Sequence, residues 1–247
     1  MDYSECECKG NADLAANRSQ VACSQCGLGK LCLPRALDED QLAQFESIVN
    51  KLRPLQRGEH VFRAGDPFRS IVAVRSGCFK SYVINQDGEE QVLGFHLPGE
   101  IVGLDAIHTT THTANVVALD TSSVCTMQFT SLTEMARLLP ELQQELFRVM
   151  SQQIAELESN SADLTADQRI ARFLMSLSER FSRRGYSRTE FNLSMARRDI
   201  ASHLRLATET VSRVLARFQE SGLISVNRKN IVIHDLEALQ QASMLED

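Results

Sequence analysis

Between residues 53 and 131, turn-forming residues recur at intervals of roughly ten positions, a rhythm that restricts this stretch to an all-β barrel or jelly roll. The punctuation is Gly58, Gly65-Asp66-Pro67, Ser76-Gly77, Asp87-Gly88, Pro98-Gly99 and Gly103. Between these marks lie Ile71–Val74, Lys80–Ile84 and Val92–Phe95, where β-branched and aromatic side chains suit a pleated sheet. Tyr82 to Leu93, turning at Asp87-Gly88, reads as a hairpin.

Helical patterns flank this β segment. Residues 38–52 place Leu42, Phe45, Ile48, Val49 and Leu52 on one face behind an acidic start, as in a short amphipathic helix. Residues 132–159 carry Leu139, Leu142, Leu146, Met150, Ile154 and Leu157 as one stripe spaced by three or four. A helix of about 25 residues would run nearly 40 Å, longer than a small β domain can cover. A second copy packed on it as a coiled coil would bury the remainder. Asn160-Ser161 ends the stripe. Beyond it, helices are expected at 167–184, 196–204 and 208–220, then strands at Leu223–Val226 and Ile231–Ile233 around Asn227–Asn230. There is no internal repeat. The fold class expected is α+β.

The net charge of −6 conceals an asymmetry. Residues 1–167 hold 13 Lys and Arg against 23 Asp and Glu, whereas residues 168–233 hold 13 against 5. Only the C-terminal part is suited to a polyanion. No apolar run reaches the roughly 18 residues of a membrane span, and the N-terminus has neither the basic start nor the apolar stretch of a secretory signal. A cytoplasmic location without membrane contact is expected. In that compartment seven cysteines are not expected as structural disulfides, and five of them fall within the first 32 residues. Such crowding points to metal binding or redox chemistry. Nucleophile motifs, a P-loop and a Gly-rich dinucleotide turn are all missing, so enzyme classes are set aside.

The stretch Arg197 to Leu215 has the logic of a helix-turn-helix. Ile200, Ala201 and Leu204 face inward, Leu206 packs beneath the turn, and Thr208 is placed to cap a second helix whose inner face is Val211, Val214, Leu215 and Phe218. Its opposite face presents Glu209, Ser212 and Arg213 at i, i+3 and i+4, at the end that enters a major groove. Arg213 can donate twice to guanine and Glu209 can accept from cytosine N4. Arg197, Arg198, Arg228 and Lys229 are candidate phosphate contacts. This third resembles the DNA-binding domain of the CRP/FNR superfamily, and Thr208-Glu209-Thr210-Val211-Ser212-Arg213 is especially similar to its oxygen-responsive FNR/ANR branch. Relatives usually have glycine in the turn where Arg205 stands; an arginine in a left-handed conformation costs about 1 kcal/mol.

Cys23-x₂-Cys26-x₅-Cys32 puts three thiols in one Gly-containing loop. By spacing alone, an iron–sulfur cluster, a structural zinc and a dithiol switch stay open. The resemblance implies a 4Fe-4S cluster, with Cys125 as the fourth ligand. It leaves Cys6, Cys8 and Cys78 without a role. It further implies a cyclic-nucleotide-binding-like β-roll, a long dimerisation helix and a C-terminal winged helix-turn-helix. The corresponding segments are an arm with the cysteines (1–35), the roll (36–131), the helix (132–160) and the reader (165–238). The expected partners are double-stranded DNA with palindromic TTGAT-type sites, a second copy of the chain, and RNA polymerase through the Asn85–Gln91 hairpin. An intact cluster would favour the dimer, and air would release it, for control of anaerobic metabolism genes. Leu157 stands where some oxygen-sensing relatives have an acidic residue. His108–Val117 contains no Arg or Lys, so no cyclic nucleotide is expected; His108 and His112 read as surface residues.

Overall fold

The computed structural model describes residues 23–159 and 164–244, with side chains up to Glu156 and again from Leu164. The N-terminal arm with Cys6 and Cys8, the Asn160-Ser161 break and the Leu157 side chain lie outside the described residues.

Two four-stranded antiparallel sheets form the roll. One has the order β1 (Val49–Lys51), β8 (Ser123–Gln128), β3 (Ser70–Ser76), β6 (Ile101–Val102). The other runs β2 (His60–Phe62), β7 (Asn115–Ala118), β4 (Phe79–Ile84), β5 (Glu90–His96). The four-residue apolar run in β3 follows from being covered on both faces. Val72 and Val74 join Phe62, Phe79, Val116 and Val124 in one core, while Ile71 and Ala73 face a second core with Phe45, Met127, Leu132 and Leu142. The expected hairpin forms as β4–β5, with Ile84 opposite Glu90.

Helix α1 spans only Glu39–Glu46, not 38–52. Asp38 caps it, accepting from Gln41 N at 2.8 Å while Gln41 returns the bond. Val49 leaves the expected helical face because strand pairing with Met127 outweighs the pattern. After α2 (Ala106–Thr109), His112 is buried rather than exposed, 5% accessible, its ring stacked on Phe62 at 3.6 Å.

The long stripe is divided. α3 (Phe129–Leu138) and α4 (Pro140–Ser159) are separate helices, with Leu139 extended between them (φ −120°). Pro140 supplies no N–H and forces its predecessor out of helical conformation. Leu139 and Leu142, 7% and 0% exposed, are plugged into the roll's own core, with Leu146 packed beside them, and cannot serve as an outward seam. The face left open carries Phe147, Met150 and Ile154.

The C-terminal part holds α5 (Ala166–Arg183), β9 (Glu190–Asn192), α6 (Arg197–Leu204), α7 (Thr208–Glu220), β10 (Ile224–Asn227), β11 (Asn230–Ile233) and α8 (Leu236–Gln241). Strand β9, too short to show a period, completes a three-stranded wing in the order β10-β11-β9. Its core is continuous with the β4–β5 edge of the roll: Tyr82, Val92, Phe95 and Leu97 pack in one cluster with Phe173, Leu177 and Ile200. A polar seam accompanies it. Lys80 Nζ reaches Asp199 at 2.8 Å and Glu90 at 2.5 Å, Ser202 bonds the backbone of Glu90 and Val92, and Arg180 and Arg184 both grip Glu100.

Candidate cysteine centre and nucleic-acid interface

Cysteine placement follows from sheet register and a tightly turned loop. In β8, side chains alternate, so Val124 enters the inter-sheet core and Cys125 points to the other side. Cys125 pairs with Ala73 and Lys51, in the middle of its sheet. The loop folds back in consecutive turns: Cys26 N donates to Cys23 O, Gly29 N to Cys26 O, and Cys32 N to Leu28 O, each at 3.0 Å. The loop rests on Gly99, whose φ is +90° and where an added Cβ would fall only 2.9 Å from Leu31 Cβ. Ser24 N donates to Glu46 Oε1 at 2.7 Å, tying the loop to the end of α1.

Cys23, Cys26, Cys32 and Cys125 consequently line one pocket, walled by Leu28, Pro34, Phe45, Val49 and Met127. Burial pushes the Cys23 thiol up to about 12, aided by Cys125 and Glu46. Burial also raises Cys32 to about 12, and the Cys125 thiol shifts upward for the same reason. Among the described residues, Arg75 is the one cation lining the pocket. Four thiolates here would repel one another in an apolar setting; they require bound positive charge. Among the described residues, no three Cys, His, Asp or Glu side chains converge on a point suited to a single metal ion. Cys78 lies away from this pocket, 1% exposed in the core shared with the C-terminal part.

The helix-turn-helix is built as its inner residues require. Ile200 and Ala201 are 2% exposed, and Val211, Val214, Leu215 and Phe218 lie at 5% or less. Leu206 N closes the turn onto Ala201 O at 2.9 Å. Arg205 occupies the left-handed position, φ 54° and ψ 47°, so the turn keeps its shape without glycine. The capping expectation needs correcting: Ala207 is the N-cap residue and Thr208 the first helical one, accepting a 3.0 Å bond from Ser212 Oγ at its carbonyl. Glu209, Ser212 and Arg213 stand exposed on the outer face of α7. Arg198 is exposed at the start of α6, whereas Arg197 is half-buried, its pKa lowered by desolvation. Arg228 (φ 55°) and Lys229 form the exposed tip of the wing. Among the described residues, no helix is long and apolar enough to cross a membrane.

Comparison with known proteins agrees with this anatomy. Residues 52–137 match the cyclic nucleotide-binding domain family, and residues 168–242 match the Crp-like helix-turn-helix domain family. The transcriptional activator protein anr of Pseudomonas aeruginosa is 47% identical over 219 residues, 87% of this chain and 90% of that one. The fumarate and nitrate reduction regulatory protein of Escherichia coli K12 is 42% identical over 224 residues, 90% of each chain. The structure of FixK2 from Bradyrhizobium japonicum has the same fold, with TM-score 0.73 at 24% identity, covering 81% of this chain and all of that one. The anr and fumarate and nitrate reduction proteins are regulators rather than enzymes, and their likeness extends through roll, helix and reader alike. The chain belongs to the CRP/FNR superfamily of transcription regulators, in the branch of the fumarate and nitrate reduction and anr proteins.

Proposed function

We propose that the chain is an oxygen-responsive regulator of anaerobic genes in which Cys23, Cys26, Cys32 and Cys125 hold a 4Fe-4S cluster. The observation that carries this reading is the meeting of Cys125, set by strand register, with the three loop thiols in one apolar pocket. Four cysteine thiolates are the donor set such clusters take. When bound, the cluster supplies an air-labile inorganic core. The protein's part is to shield that core with Phe45, Val49 and Met127 and to hold three of its ligands on one short loop.

The same reading assigns the open face of α4, with Phe147, Met150 and Ile154, to a second copy of the chain. Pairing would set two recognition helices about one DNA turn apart, as a palindromic TTGAT-type site requires. Glu209, Ser212 and Arg213 would read bases, with Arg198, Arg228 and Lys229 on phosphates and Arg197 a lesser contributor because it is half-buried. The Asn85–Gln91 hairpin would meet RNA polymerase in the cytoplasm. A cyclic nucleotide is not part of this reading, since His108–Val117 offers no cation for its phosphate.

Protein prepared without air is expected to contain about four iron and four sulfide per chain and to retard a TTGAT palindrome. Exposure to air, or Cys125→Ser, should remove both properties. Metal-free protein, or DNA binding indifferent to air, would sink the reading.

A further inference from the structure

Three residues after Cys32, Arg35 meets helix α4. Its Nε lies 2.5 Å from Glu145 Oε1, and that carboxylate side chain is only 5% exposed. The same oxygen accepts from Arg148 Nε at 2.6 Å, one turn further along the helix. Beside this pair Leu33, 1% exposed, is driven into the cluster that holds Leu139 and Leu142. The 3-10 turn Leu33–Ala36 thus fastens to α4 by an apolar plug and one buried charge. Since it begins at the residue after Cys32, the connection has almost no slack.

A desolvated carboxylate needs its cations. If Arg35 withdraws, Arg148 alone must neutralise Glu145. Arg148 also donates to Gln152 at 3.2 Å, and Gln152 to Glu156 at 3.1 Å, so its reorientation disturbs a ladder three turns long. By helical spacing the exposed Phe147 and Ile154 lie about half a turn around the axis from Glu145 and Gln152. Whatever sets the rotation of α4 at Glu145 therefore sets the direction in which that apolar face points.

We infer that Arg35 and Glu145 are positioning residues that tie the rotation of α4, and so the aim of Phe147, Met150 and Ile154, to whether Cys32 is held in its pocket. This rests on the cluster and dimer reading above. The test compares dimer dissociation constants, by sedimentation, for cluster-loaded and cluster-free full-length protein. The wild type should show a ratio of about tenfold or more, within the usual range of such couplings. Arg35→Ala and Glu145→Gln should bring that ratio near one, with iron and sulfide content unchanged and cluster-free dimerisation unaltered; Arg35→Lys should restore it. Because coupling is reciprocal, air-driven bleaching of the cluster should slow with rising protein concentration in wild type and not in Arg35→Ala. A full ratio in Arg35→Ala at normal loading overturns the inference. So does a ratio that falls only in proportion to lost iron, which makes Arg35 a loading residue. Wild-type protein without iron, or without any ratio, overturns the parent reading as well, and is seen before any variant is made.

Discussion

Arg205 carries a backbone conformation that costs an L-residue about 1 kcal/mol, and its side chain is exposed, so little packing offsets the strain. Arg205→Gly should stabilise the protein by about that amount in chemical denaturation; an unchanged or lower midpoint would show that the arginine contributes an unseen contact. A second residue-level effect concerns protons. Desolvation holds His96 down at about 4, and also lowers His203, so both are neutral in the folded chain while their unfolded counterparts titrate near 6.5. A folded-state pKa below the unfolded value means that the unfolded chain takes up the proton first. Stability is therefore full above pH 6.5 and falls as pH drops toward 4, by about 3 kcal/mol for His96. His96→Gln should flatten the slope of unfolding free energy across that window; an equally steep slope would assign it elsewhere. Residue identity made the helix-turn-helix core legible in advance, since Ile200, Val211 and Phe218 sit where their spacing put them. His112 was not legible, because its burial depends on Phe62, fifty residues distant, and not on its neighbours.

At the scale of elements, α4 has two apolar faces with different duties. Leu142 is fully buried inside its own roll, and Leu142→Ala should cost about 3 kcal/mol of folding free energy whatever the protein concentration. Ile154 is 56% exposed, and Ile154→Glu should leave monomer stability nearly unchanged while abolishing dimers in anaerobic sedimentation. The opposite pattern, a stable dimer in Ile154→Glu, would assign the open face to something else. The heptad-like spacing merged these two faces into one stripe because period alone does not say what covers a helix. Pro140 held the missing information, since a proline within such a stripe breaks it one residue earlier. The strands were legible where turn residues bounded them, but β1 and β9, three residues each, exist only through their partners β8 and β11.

On the scale of the whole molecule, the reader is bonded to the roll rather than tethered to it. Lys80 is 8% exposed between Asp199 and Glu90, and removing it strands a buried carboxylate at a cost of about 3 kcal/mol. Lys80→Met should split calorimetric unfolding into two steps, roll and reader, and adding Asp199→Asn should bring them together again. One unshifted transition in Lys80→Met would mean the apolar contacts of Phe95 and Phe173 suffice. No local pattern announces this seam, because its charges are 10 to 119 residues apart and each alone resembles a solvated surface residue.

That seam bears on how such regulators can diverge. Glu90 and Gln91, at one end of the hairpin, and Ser202, on α6 of the reader, hold each other through both side chains and backbone. A reading head borrowed from another lineage would arrive with the wrong counterpart for this hairpin, however good its own fold. New operator preferences are thus more readily acquired by changing Glu209 or Arg213 in place than by exchanging the module that carries them.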